Sequence, residues 1–219
     1  MRVVIAGGHG KIAQLMHREL AGRGDTAVGL IRNPHHAAAL TAAGAHPVVA
    51  DLEHTGVDEL TGHLADADAV VFAAGAGPGS GAARKDTVDR GAAVLLADAA
   101  QAAGVRRYLL VSSMGVEDAP APGTDEVWAA YLWAKKAAED DLTARDLDWT
   151  VLRPGRLTDD PPTGRITLDR HVGRGAVTRA DVARVLVALL YAPASAGATL
   201  ELVDGETPIA DAVHAVTTG

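Results

Sequence analysis

Short apolar runs rich in β-branched residues alternate with longer Ala-rich stretches. In the longer stretches apolar positions recur every three or four residues. Residues 2–6 (RVVIA) predict a buried strand that ends at Gly7-Gly8. Residues 11–23 predict a helix with Ile12, Leu15, Met16 and Leu20 on one side. Further strands are predicted at 26–31, 47–50, 69–74, 107–111 and 149–152, and further helices at 34–43, 57–64, 84–103 and 126–145. Gly/Pro-rich loops fall at 77–81 and 119–125. Strands that alternate with helices of this length imply βαβ units and a parallel sheet buried on both faces. The predicted fold class is α/β, a doubly wound parallel sheet.

After Arg153-Pro154-Gly155 the pattern loosens. Residues 156–177 hold one short strand pattern, at 165–168. Thr178 then caps a helix through Tyr191, with Asp181 placed as in a capping box. A last strand is predicted at 199–203. There is no internal repeat and no low-complexity linker. The reading is a single domain over residues 1–219, with 156–177 and 199–219 forming a small irregular lid on the substrate side.

Composition narrows the function. Hydrophobic residues make up 48% and charged residues 22% of 219, which fits a globular chain. The absence of Cys excludes disulfides, Cys-based metal sites and a thiol nucleophile. A net charge of −8, with basic residues scattered, argues against a nucleic-acid partner. No apolar run reaches the ~18 residues of a membrane span, and the first residues carry no secretory pattern. A cytoplasmic protein is expected. No His/Asp/Glu spacing suggests a metal. His17, His63 and His171 read as solvated, and Glu139 with Asp140-Asp141 as a solvated helix face.

The strongest chemical signal is Gly7-Gly8-His9-Gly10-Lys11-Ile12-Ala13, which joins a strand to a helix. Gly7 permits the tight turn, Gly10 permits close approach of backbone to a pyrophosphate, and Ala13 lets the helix pack close. The helix N-terminus adds partial positive charge. The segment at the end of the second strand, Leu30-Ile31-Arg32-Asn33-Pro34, has no acid for a ribose 2′-hydroxyl. Arg32 can instead fork onto a 2′-phosphate, so NADP(H) is expected over NAD(H). Asp51-Leu52 would reach the adenine edge, although Asp51 also suits a turn cap. Ala73-Ala74-Gly75 would wall the adenosine ribose.

These motifs resemble the short-chain dehydrogenase/reductase superfamily, in its atypical NAD(P)-binding branch near the NmrA-like and biliverdin/flavin reductase-like members. The resemblance extends through Val88-Asp89-Arg90-Gly91, Val111-Ser112-Ser113, Tyr131-Leu132-Trp133-Ala134-Lys135 and Leu152-Arg153-Pro154-Gly155. It implies a strand order 3-2-1-4-5-6-7, with Tyr131 as proton donor to a carbonyl. Lys135, one helical turn on, would support the Tyr131 phenolate and hold the nicotinamide ribose. Pro154, Gly155 and Arg156 would lie near the nicotinamide and the substrate. The departure is Met114, which stands where active members carry Ser or Thr. Ser113 is then the candidate to hold the substrate oxygen, and both serines could instead satisfy a strand end.

Three functions follow. The first is an NADPH-dependent oxidoreductase acting on a small carbonyl, quinone or flavin-like acceptor. The second is a non-catalytic NADP(H) sensor. The third is a nucleotide-sugar epimerase or dehydratase, for which the chain is short.

Overall fold

The computed structural model describes residues 1–218 except Pro78, Ala119 and Pro122. The predicted loops 77–81 and 119–125 therefore fall partly outside the described residues, as does Gly219 of the predicted lid. Six strands run parallel: β1 (Arg2–Ala6), β2 (Thr26–Ile31), β3 (Ala45–Val49), β4 (Ala69–Phe72), β5 (Arg107–Val111) and β6 (Asp148–Pro154). Between and after them come α1 (Lys11–Gly22), α2 (Ala37–Ala42), α3 (Val57–His63), α4 (Ala82–Arg84), α5 (Ala92–Ala103) and α6 (Glu126–Thr143). The last part of the chain adds β7 (Arg156–Thr158), β8 (Arg165–Asp169), β9 (Ala176–Thr178), α7 (Arg179–Leu190), β10 (Ala198–Asp204), β11 (Thr207–Pro208) and α8 (Ile209–Thr218).

The main sheet has the order β11-β8-β10-β6-β5-β4-β1-β2-β3. Alternate side chains of β1 explain its two faces. Val3 and Ile5 enter a core with residues of α1, α2, α7 and α8. Val4 and Ala6 enter a second core with residues of α3, α5 and α6. Helices on both faces of a mostly parallel sheet make a Rossmann-like fold. The order reverses direction between β1 and β4, which opens a crevice at the carboxyl ends of the strands.

Several expectations change. Residues 199–219 do not form a lid. β10 is a full member of the sheet, parallel to β6, and is the seventh strand of the implied order. The apolar alternation of Leu200 and Leu202 needs that burial. Within 156–177, β7 and β9 pair beside the sheet, while β8 joins it antiparallel to β10. The long helix predicted at 84–103 is interrupted. Lys85–Gly91 winds as a π-helix between α4 and α5, and the wider turn carries Lys85, Val88 and Asp89 inward.

A further change concerns His17. It is fully buried, one helical turn from Ala13 and Leu20, with Nε2 3.0 Å from the carbonyl oxygen of Gly8. Burial holds its imidazole below the usual histidine range, against the smaller opposing effect of the Gly8 bond. A lowered folded pKa means that protonation favours the unfolded chain. The stability from neutral His17 is full above about pH 6.5 and is lost as pH falls below it. His17→Gln can still donate to Gly8, and should flatten the fall in melting temperature between about pH 7 and pH 5. An equal slope in both proteins would remove His17 from the account. His63, also expected in solvent, has a buried Nε2 with no hydrogen-bond partner among the described residues.

Candidate functional site

The first half of the crevice is a cavity of about 270 Å³. Of the residues singled out in the sequence, Gly7, His9, Gly10, Arg32, Asp51, Leu52, Ala73, Ala74 and Gly75 all line it. They come from the carboxyl ends of β1, β2, β3 and β4, which parallel pairing brings level with one another. Gly8 lies beneath the cavity, donating its N–H to Leu30 O at 2.9 Å. Ile12 is partly buried against the core. Lys11 turns outward and pairs with Asp159 at 2.6 Å.

The glycine geometry fits a phosphate-bearing ligand. Gly7 has φ +77°, and a Cβ there would stand 2.6 Å from Ala74 Cα. That close approach of β1 to β4 is open only to glycine. Gly10 precedes α1 without a side-chain cap. The first helical bond runs from Gln14 N–H to Gly10 O. The N–H groups of Lys11, Ile12 and Ala13 lie ahead of it, and a helix leaves such donors without an internal acceptor. A dinucleotide pyrophosphate suits them. His9 stacks on His36 with ring centroids 3.6 Å apart, beside the same cavity. Desolvation, helped by His36, lowers the His9 pKa.

Sequence reasoning missed two residues at the adenosine end. Arg32 has no acid in its own segment, but the fold brings Glu53 to 3.4 Å from its Nη1. Glu53 also accepts from Arg84 Nη2 at 2.7 Å and Thr87 Oγ1 at 2.8 Å. The bond from Arg84 is the main reason its carboxyl lies below the usual range. Glu53 stands two residues beyond Asp51, and Arg84 reaches in from α4. Asp51 faces the cavity and also caps its turn, accepting from Glu53 N–H at 3.1 Å.

The second half is a cavity of about 900 Å³ at the ends of β5 and β6. Ser113, Tyr131, Pro154, Gly155 and Arg156 line it, with Met114 and with His171, Val172, Arg174 and Gly175 from the predicted lid. The two serines differ in their hydrogen bonds. Ser113 Oγ donates to Met114 O at 3.2 Å. Ser112 is among the residues lining the cavity; its Oγ is buried and has no hydrogen-bond partner among the described residues. Tyr131 stacks on Trp128, with centroids 5.1 Å apart.

Lys135 lines neither cavity. Its ammonium donates to Val111 O at 3.1 Å and Ala74 O at 3.4 Å, and pairs with Asp89 at 3.3 Å. An ammonium has three donors, so the expected hold on a ribose would cost one of these contacts. Lys135 ties β4, β5 and the π-helix together under Tyr131, 5.9 Å from its ring centroid. A second ammonium, Lys85, lies 5.5 Å from the same centroid.

Glu139 is not solvated. It is buried on the face of α6 shared with Lys135 and Leu142, and holds Arg153 through two bonds, of 3.0 and 2.6 Å. Glu117 reaches the same guanidinium at 2.7 Å. The desolvation that would lower Arg153 is outweighed by these two carboxylates, and its pKa is raised. Arg153 is thus fixed one residue before Pro154.

A glycine loop between a strand and a helix, at the switch point of a parallel sheet, defines a dinucleotide-binding Rossmann protein. The chain belongs to the NAD(P)H-binding family, whose profile matches residues 7–193. It is 31% identical over 214 residues to an uncharacterized sugar epimerase of Bacillus subtilis (strain 168), covering 97% of this chain and 99% of that one. A solved structure from Bacillus halodurans, provisionally named an NAD-dependent epimerase/dehydratase, is 36% identical. It superposes with a TM-score of 0.91 over 98% of this chain and 99% of its own. An oxidoreductase of Lactococcus lactis is 25% identical, with a TM-score of 0.86 over 100% and 98% of the two chains. The fold is that of NAD(P)-binding oxidoreductases. No helix among the described residues is long and apolar enough to cross a membrane.

Proposed function

We propose that the protein is an NADPH-dependent oxidoreductase of the short-chain dehydrogenase/reductase superfamily, reducing a small carbonyl, quinone or flavin-like acceptor. The whole chain acts as one cofactor-binding domain, with 156–177 as its substrate-side lid. The observation that carries this reading is that Tyr131, Ser112 and Ser113 line one cavity at the carboxyl ends of the strands, with the Ser112 hydroxyl unpartnered among the described residues. A reduced nicotinamide, when bound, supplies a hydride. The protein's part is to place a carbonyl beside it. Ser112 donates to the carbonyl oxygen, taking the role the sequence pointed to at Ser113. Tyr131 gives that oxygen its proton. Lys135 and Lys85 stand over the Tyr131 ring, Lys135 acting as a positioning residue. Pro154 and Gly155 wall the nicotinamide, and Gly7, Gly10 and the first turn of α1 hold the pyrophosphate. NADPH consumption against a panel of carbonyls and quinones tests the reading.

Arg32 and Arg84 make the 2′-phosphate site, and Glu53 is the counter-ion they share. NADPH is expected to bind more tightly than NADH, and Arg32→Glu to reverse the order. Arg32 is more than half exposed, so solvent screening puts the effect near tenfold, the low end for a charge-assisted bond. Glu53→Gln removes the competing negative charge and should widen the preference. Paired titrations of both cofactors check this. Equal affinities in the wild type would mean that Arg32 serves only Glu53.

The names of the two Bacillus relatives favour a second reading, an epimerase that oxidises and re-reduces a sugar. Such an enzyme converts its substrate with no net consumption of dinucleotide, which separates it from a reductase in the same assay.

A further inference from the structure

The cavity at the ends of β5 and β6 carries two features that catalysis by Tyr131 and Ser112 does not use. One is an aromatic wall. Trp128 is half exposed, lines the cavity and stacks on Tyr131 at an interplanar angle of 26°. Its free face is a platform for a flat ring.

The other feature is a pair of arginines. Among the carboxylates and guanidinium groups lining this cavity, three are already matched. Glu117 pairs with Arg153 at 2.7 Å, Arg179 with Asp159 at 2.8 Å, and Glu201 accepts Val172 N–H at 2.8 Å. Asp118 lies on the loop after β5, exposed. Arg156 and Arg174 line the cavity, and neither side chain has a hydrogen bond or ion pair among the described residues. They spring from one rigid junction. Arg156 N–H donates to Gly175 O at 3.0 Å, β7 pairs with β9, and a Cβ on Gly155 would stand 2.5 Å from Gly175 O. The backbone there is too close for a side chain, so both guanidinium stems start from fixed points. A guanidinium offers a fork of donors that matches a carboxylate or phosphate.

We propose that the acceptor is a flat aromatic carbonyl compound bearing an acidic group, its ring on Trp128 and its anion between Arg156 and Arg174. This deepens the reductase reading and rests on it. The cavity's volume falls in the range of sites for ligands of that size. In the reaction the carbonyl carbon gains a hydride, the C=O double bond becomes a C–O single bond, and the oxygen takes one proton from Tyr131. The two electrons come from the reduced dinucleotide, which is oxidised.

Two isosteric pairs test the proposal. 2-Naphthoate and 2-naphthamide differ only in charge and one atom, and their binding is measured by calorimetry with oxidised cofactor present. 4-Carboxybenzaldehyde and 4-formylbenzamide are the matching pair for turnover. The acid is expected to be preferred by about tenfold or more in both assays. Arg174→Ala or Arg156→Ala should collapse the ratio, Arg174→Lys should keep part of it, and Arg174→Glu should invert it. Trp128→Ala should weaken acid and amide alike, and Trp128→Phe should restore most of the loss. Thermal melts show that each variant is folded. If naphthoate binds no better than naphthamide, or the ratio survives loss of both arginines, the proposal is overturned. That holds even if both aldehydes are reduced, in which case the reductase reading stands. If naphthoate is preferred but neither aldehyde is reduced, the anion site stands and the reductase reading falls.

Discussion

Tyr131→Phe is expected to lower carbonyl reduction by about 10²–10⁴, the usual contribution of a positioned acid, while dinucleotide affinity changes little. The ring keeps its stack on Trp128, at 5.1 Å, and its place beside Lys85 and Lys135. Only the hydroxyl is lost. Reduction of a ketone or aldehyde makes an alkoxide, which is too basic to form without a proton donor. Reduction of a quinone makes a far weaker base, which can take its proton from water. The two acceptor classes therefore respond differently to one substitution. A large loss on carbonyls with little loss on quinones fits Tyr131 as the acid. Equal rates for wild type and variant on every carbonyl would remove Tyr131 from the chemistry. Ser112→Ala should follow the same pattern more weakly, because it donates to the oxygen without losing its proton. Ser113→Ala should change little, since its hydroxyl is spent on Met114 O.

The sheet and the dinucleotide crevice were legible in the sequence for a physical reason. Parallel strands buried on both faces write themselves as apolar runs, and glycines at β1 mark a turn that other residues cannot make. Val3 to Ala6 and the Gly7–Gly10 loop were read correctly because the requirement is local. What the sequence hid depends on partners far along the chain. Glu139 has the composition of a solvated face, yet it is buried because Arg153, fourteen residues on, needs a counter-charge beside Leu152 and Pro154. A lone arginine inside a buried strand was the available signal. Glu53 could not be placed beside Arg32 without knowing that β3 lies next to β2. Residues 198–204 follow a loop-rich stretch, which masks a strand, although Leu200 and Leu202 carry the alternation of a buried one.

Gly8 and Gly10, two residues apart in the same loop, should give opposite results when made Val. At Gly10 the backbone is ordinary, with φ −62° and ψ 152°, and any residue can adopt it. A Cβ there meets Gly7 O at 3.1 Å and Ala73 O at 3.8 Å, a tight but small intrusion. The rest of the side chain stands where a pyrophosphate must approach the first turn of α1. Gly10→Val should therefore melt close to wild type and lose dinucleotide binding by a hundredfold or more, roughly the worth of two charge-assisted bonds. At Gly8 a Cβ would lie 2.7 Å from Gly29 Cα and 2.9 Å from Gly29 C. Both are backbone atoms of β2, held in register with β1, and cannot swing aside. Gly8→Val should cost at least the about 1–3 kcal/mol of an overpacked core, and lower the melting temperature before any effect on binding can be isolated. Calorimetry on Gly10→Val with a native circular dichroism spectrum decides the first case, and thermal unfolding of Gly8→Val the second. Unchanged NADPH affinity in a folded Gly10→Val protein would move the pyrophosphate away from this loop and leave its glycines with a purely architectural role.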